Sequence, residues 1–261
     1  NKKNQKKREV IVIEYSSPNI AKPLGIHHIR STVIGQALVN ILRFAGYKVV
    51  SLSFPGDWGT QFGLLIAGYK RWGNPGKIKK DPINEMLRLY VKFSQAARKT
   101  PQLLDEGKKE FKKLEEGDKE NLKLWRWFLK ESLRDFQRVY KLLAVKIEHT
   151  IGESFYEPEL KALVKESLER GIAEKSKDGS VVIPLSNSSV PEIIQKSDGT
   201  TIFTTRELAA IRHRFKKWKA NKIIYVAANQ QTFHLSQVFH CAELLGFAKP
   251  GQLKHIKFGM M

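Results

Sequence analysis

The stretch EVIVIEYSSPNIAKPLGIHHIRSTVIGQALVNILRFAGYKVVSLSF, residues 9–54, decides the fold. Its first part, EVIVIEY (9–15), is short, β-branched and bounded by polar residues, the pattern of a buried strand. From about His28 to Ala45, the residues Ile29, Ile34, Leu38, Ile41, Leu42 and Ala45 recur at helical spacing. Gly46 suits the position just past a helix end. YKVVSLSF (47–54) repeats the strand pattern. Strand, helix, strand of this length is a βαβ unit and predicts a parallel sheet. The loop after the first strand then lies at the carboxyl edge of that sheet, where α/β folds bind ligands.

Further along, the pattern changes. From about Lys77 to Val145 the chain reads as helical, charged and rich in Lys and Glu. Asp118 is placed to cap a long helix with Leu122, Trp125, Phe128, Ser132, Phe136, Val139 and Leu143 on one face. Residues 152–198 are mixed, with a hairpin expected around KDGSVVIPL (177–185). The α/β pattern returns near Thr200. TTIFTTRELAAIRHRFKKW (200–218) reads as a short strand and a helix, and NKIIYVAA (221–228) as a buried strand. QTFHLSQVFHCAELLGF (231–247) reads as a helix with Leu235, Val238, Phe239, Ala242 and Leu245 inward and Gly246 after it. HIKFGMM (255–261) begins one more strand. The simplest architecture is α/β: a parallel sheet interrupted by a mainly helical insertion. Its parts are residues 1–71, 72–198 and 199–261.

A chain of 261 residues can hold one large domain or two modest ones with a sizeable core. No apolar run reaches the length of a membrane span. NKKNQKKR (1–8) is a basic leader without an apolar signal region. The single cysteine, Cys241, excludes an internal disulfide framework and a multi-cysteine zinc site. It falls on an apolar helix face, so a small buried residue in a reducing compartment is expected. Lys and Arg number 46 against 26 Asp and Glu, a net charge of +20. Such an excess repels itself unless a polyanion is near, and RNA is the expected partner. The alternative is a basic organelle or proteome, in which surface lysines have no partner.

Seven segments, in order along the chain, carry a resemblance: EYSSPNIAKP, IRSTVIGQAL, GDWGTQFGLL, GESFY, SDGTTIFTTRELAA, KIIYVAANQQTFHLSQVF and HIKFGM. Together the segments resemble arginyl-tRNA synthetase, a class I aminoacyl-tRNA synthetase. The resemblance implies a Rossmann-type catalytic domain that activates arginine with ATP and Mg²⁺ and esterifies it to tRNA. It also implies the central piece of such a protein. The family's N-terminal tRNA-contacting domain would precede it, and a KMSKS-type loop and helical anticodon-binding domain would follow.

Carried over residue by residue, the resemblance places Glu14, Asn19 and Gln231 in an arginine pocket, with Phe203 where the family has tyrosine and Glu207 where it has aspartate. A guanidinium is a fixed fork of donors, so carboxylate and amide oxygens suit it. Read on their own, these residues keep other meanings. Glu14 can be an edge carboxylate paired with a surface lysine, and Asn19 an Asx turn. Glu207 with Thr204 in TTRE can be a capping box.

The nucleotide loop departs from the family. Where the family has His-x-Gly-His, this chain has Gly25, Ile26, His27 and His28. His28 stays at a helix N-terminus, where amide groups favour phosphate. His27 puts an imidazole where adenine needs close backbone approach. The exchange predicts weak ATP binding. Lys22 stands where many members carry a lysine compensating for a weak KMSKS loop, which implies a phosphate contact; otherwise it is a solvated lysine. In GDWGTQFG (56–63), Gly56 and Gly59 permit a tight turn, and Asp57 or Gln61 bonds ribose or loop backbone. That segment is equally a packing turn around Trp58. Phe258, Gly259 and Met260 stand where the family's backbone meets adenine.

Two functions follow as expectations. The first is an arginine–tRNA ligase with Lys22 and His28 stabilising charge on the phosphates, in the mitochondrial matrix or the cytoplasm. The second is a non-catalytic synthetase-like subunit that binds tRNA or rRNA as a ribonucleoprotein scaffold.

Overall fold

The computed structural model describes residues 9–186 and 190–259. The basic leader and Met260 lie outside the described residues, as does the side chain of His27. The chain forms two compact units. The first comprises Asn1–Ser16, Arg30–Ser53 and Ile147–Met261, and the second Ser17–Ile29 and Phe54–Lys146. The expected insertion at 72–198 therefore divides: its helical part lies in the second unit, and residues 147–198 lie in the first.

The first unit is built on a parallel sheet of β1 (Val10–Glu14), β2 (Lys48–Ser53), β3 (His149–Thr150), β7 (Lys222–Ala228) and β8 (Leu253–Phe258). Their order is β3-β2-β1-β7-β8. The three strands read from the sequence are neighbours, with Glu14 opposite Leu52 on one side and Tyr225 on the other. β1 is central, and Val12 and Ile13 are fully buried, as an uninterrupted β-branched run requires. β3 was not read as a strand. It is two residues long, too short to carry a period.

Helix α1 spans Ile26–Phe44, one half-turn earlier than its apolar spacing suggests. Its end is a Schellman turn: Gly46 N–H bonds Arg43 O, Tyr47 N–H bonds Leu42 O, and Gly46 has φ 89°. Gly35 lies against the Tyr15 ring so closely that any side chain there would collide with it. Hydroxyls then fix the carboxyl ends of the strands. Ser31 Oγ donates to Val226 O at 2.7 Å and Thr32 Oγ1 to Ser16 Oγ at 2.6 Å. Ser53 Oγ donates to Ser16 O at 2.6 Å.

The rest of this unit is α7 (Glu157–Glu169), α8 (Phe203–Trp218), α9 (Thr232–Leu244) and a small antiparallel sheet. That sheet contains the expected hairpin, β4 (Glu174–Lys175) with β5 (Val181–Ile183), and a third strand, β6 (Glu192–Gln195). The strand expected before α8 reduces to one bridge between Gln195 and Thr201. Cys241 on α9 is fully buried, and burial pushes its thiol up to about 12.

The second unit contains α2 (Thr60–Trp72), α3 (Pro75–Lys80), α4 (Pro82–Lys99), α5 (Pro101–Glu115) and α6 (Lys119–Leu142). Proline opens α3, α4 and α5, where its missing N–H costs nothing. Asp118 caps α6 as expected, accepting from Asn121 N at 2.9 Å. Phe128, Ser132 and Phe136 on α6 are buried, Val139 is half-buried, and Leu143 falls past the helix end. Trp58 packs edge-on against Phe111 and Trp125. Helices begin at Thr60, before the Lys77 expected. No helix among the described residues is long and apolar enough to cross a membrane.

Candidate active site

In the first unit, Glu14 and Glu207 share a buried polar network. Glu14 ends β1 and is 8% exposed. Its Oε2 lies 2.5 Å from Nη1 of Arg214, which is fully buried on α8. The same Nη1 donates to Tyr225 Oη at 2.8 Å, and Tyr225 Oη donates to Glu207 Oε2 at 3.4 Å. Tyr156, fully buried in a 3-10 turn (Glu153–Tyr156), adds a second phenol. Glu14 is therefore not an edge carboxylate meeting a surface lysine. A strand buried on both faces keeps its carboxylate largely from solvent, and an internal guanidinium meets it instead.

The network holds two carboxyl groups, Glu14 and Glu207, around one guanidinium. Burial and the Glu14 charge push the Glu207 carboxyl up to about 8, against the opposing pull of Arg214. Burial also pushes Tyr156 up to about 12 and Tyr225 well above its ordinary value. Arg214 is held firmly charged: Glu14 and the surrounding groups outweigh the penalty of burial. Glu207 therefore keeps a proton at neutral pH, and Arg214 balances the ionised Glu14.

The capping-box reading of TTRE does not hold. α8 begins at Phe203, and Thr205, not Glu207, serves the first turn: its Oγ1 accepts from Ile202 N at 3.3 Å. Thr204 Oγ1 donates to Glu192 on β6 at 2.5 Å. Glu207 thereby lies one turn further into the helix, facing the sheet. Phe203 is 41% exposed and stacks on His234, with ring centroids 5.3 Å apart. Gln231 is exposed in the 3-10 turn Asn229–Gln231 that follows β7. Phe258 ends β8, and the Gly259 carbonyl accepts from Arg30 Nη1.

The second unit holds the loop residues. Asn19 pairs with Gly56 in a parallel bridge, and Ile20 N–H bonds Gly56 O at 3.1 Å. This bridge is a backbone role for Asn19. Gly25 O receives the first helical amides, from His28 at 3.0 Å and Ile29 at 3.2 Å. His28 Nδ1 accepts from Gly25 N at 3.1 Å. An imidazole that accepts at Nδ1 carries its proton on Nε2, so His28 offers a donor there. Asp57 is buried, and its carbonyl takes the Trp125 indole N–H at 2.8 Å. Gly59 has φ 121° at the entry to α2, a conformation only glycine adopts readily. Gln61 and Lys22 line one small cavity, and the Lys22 ammonium lies 5.5 Å from the Tyr90 ring centre. Among the described residues, no three His, Cys, Asp or Glu side chains are grouped to hold a metal ion. A Mg²⁺ ion here would ride on nucleotide phosphates, as it commonly does.

Sequence reasoning missed Arg214, Tyr225 and Tyr156. Signals pointed to the first two. Arg214 lies two turns along α8 from Glu207, on the same face, and Tyr225 is the polar member of an aliphatic strand.

A parallel sheet in this order, with a strand–loop–helix at its centre, defines a Rossmann-type α/β catalytic fold. The model of the family described as "tRNA synthetases class I (R), catalytic domain" matches residues 1–261, and the chain belongs to that family. It is 46% identical over 251 residues to the arginine–tRNA ligase of Clostridium kluyveri, covering 96% of this chain and 44% of the relative. It is 43% identical to that of Lactobacillus johnsonii, over 96% of this chain and 45% of the relative. The chain thus spans a little under half the length of these relatives. Among solved structures, arginyl-tRNA synthetase from Plasmodium falciparum superposes with a TM-score of 0.78 at 28% identity, over 96% of this chain and 43% of that one. The Thermus thermophilus enzyme gives 0.75 at 20% identity, over 96% and 48%, a likeness of fold.

Proposed function

We propose that this chain is the catalytic portion of an arginine–tRNA ligase. The observation that carries the reading is the pair of buried carboxyl groups, Glu14 and a Glu207 poised to ionise, around the single guanidinium of Arg214. A guanidinium is the cation that such a site accepts best, through paired N–H groups meeting carboxylate oxygens. In the first step, the arginine carboxylate attacks the α-phosphorus of ATP. A new O–P bond forms, the bond to the β-phosphate bridging oxygen breaks, and pyrophosphate leaves. In the second, a terminal hydroxyl of tRNA attacks the activated carbonyl and AMP departs. His28 Nε2–H supplies a hydrogen-bond donor and the Lys22 ammonium a positive charge to the phosphates. The net charge of +20 suits an RNA partner.

Calorimetry with arginine in buffers of different ionisation enthalpy tests this. Near pH 7, arginine binding should release a proton, because its charge drives Glu207 to ionise. Glu14→Gln should weaken binding by roughly tenfold or more, the worth of a buried charged hydrogen bond. Equal binding of citrulline, which has the shape without the charge, would defeat the proposal. No observation favours the scaffold reading.

A further inference from the structure

Lys22 follows a residue in an uncommon backbone conformation. Ala21 has φ 62°, the left-handed region that residues with a Cβ avoid. Its amide donates to Ser132 Oγ at 3.0 Å. Ser132 is fully buried in the middle of α6 and gives its own proton to Phe128 O at 2.8 Å. Its oxygen is thus turned toward Ala21 as an acceptor, between the buried rings of Phe128 and Phe136. A hydroxyl in that apolar stripe has no packing reason to be there. From α4, Tyr90 sets its ring 5.5 Å from the Lys22 ammonium, within range of a cation–π attraction. Ala21, Lys22 and Tyr90 line, with Gln61, Phe62 and Leu65, a cavity of about 10 Å³, space for a single water. A strained residue persists only where its surroundings hold it, and such holding is concentrated at functional sites.

We propose that Ser132 and Tyr90 are positioning residues for Lys22. Ser132 fixes the backbone turn that aims the side chain, and the Tyr90 ring steadies its ammonium for the triphosphate of a bound nucleotide. A lysine is a point charge on a flexible stem, and ordering it in advance removes part of the entropy lost on binding. The inference rests on the reading of Lys22 given above.

The test is calorimetry of ATP and of adenosine, which lacks the phosphates, on the unmodified chain and five variants. Lys22→Ala should weaken ATP and leave adenosine unchanged. Ser132→Ala should weaken ATP about fivefold, the worth of one hydrogen bond, and Tyr90→Leu about threefold, both sparing adenosine. Tyr90→Phe keeps the ring and should keep most of the affinity. Adding Ala21→Gly to Ser132→Ala should recover part of the loss, since glycine takes this φ without strain. If Lys22→Ala leaves ATP binding unchanged, or the unmodified chain binds no ATP at millimolar concentration, the reading of Lys22 fails and the inference with it. If Lys22→Ala weakens ATP but Ser132→Ala and Tyr90→Leu do not, the positioning role alone is overturned. Equal losses for ATP and adenosine in those two variants would overturn it too, because they would mark general loosening.

Discussion

Glu207 links stability to pH. In the fold it keeps its proton up to about pH 8, whereas an ordinary glutamate releases it near ~4.3. Between those values unfolding sets a proton free, so raising the pH favours the unfolded chain. The stability present below the lower value is lost progressively as pH approaches the upper one, at up to about 1.4 kcal/mol per pH unit. Urea midpoints of the chain and of Glu207→Gln at pH 5, 7 and 9 should show the difference. The variant should lack this component and gain relative stability at high pH; parallel profiles would refute it. Arg214→Met should be harsher, because it leaves two carboxylates buried without their guanidinium, a loss of roughly 3–5 kcal/mol. Denaturant unfolding reads that directly. Glu14 and Glu207 come into view only through the resemblance, since read on their own the one is an edge carboxylate and the other a helix cap. Arg214 does not come into view even then. A cation in a helix as basic as RHRFKKW reads as one more solvated side chain, and only the tertiary fold shows that it points inward.

At the scale of elements, the strand–loop–helix was readable because its periods are long and its ends are marked. The Schellman turn at Gly46 and its counterpart at Gly246, where Phe247 N–H bonds Ala242 O at 2.8 Å, closed both helices where expected. What escaped was short or set by distant partners: β3, with two residues, and the start of α8, where Thr204 turns to Glu192 instead of capping its own helix. The nucleotide loop belongs to this scale too. Its helix opens on Ile26, with the Gly25 carbonyl and the His28 ring closing the first turn. On the proposed reading of this loop as an ATP site, exchanging Gly25→His and His27→Gly together would return a second imidazole near the phosphates and bare backbone beneath the base. ATP affinity should rise by about tenfold or more, the worth of one charged hydrogen bond. Calorimetry on the two proteins decides it, and tight binding by the unmodified chain would show that the loop works as it stands.

For the whole molecule, the dominant quantity is charge. Ion pairs along the helices, such as Arg88 with Glu85 and Arg138 with Asp135, are 45% and 68% exposed on the arginine side and contribute little each. They do not alter an excess of +20. RNA affinity should therefore fall with salt, with a log–log slope near −0.7 for each phosphate neutralised on a single strand. Filter binding across a salt series measures it, and affinity indifferent to salt would remove the RNA partner. The lone thiol offers another view of the same molecule. Cys241 is fully enclosed, and its proton is held far above neutrality, so a thiol-directed dye cannot react while α9 is seated. Labelling must wait for an opening. With no other cysteine to compete, the colour change at a given temperature becomes a clock for how often the sheet's helical cover lifts. Comparing that clock with and without arginine would time the site without touching any residue in it.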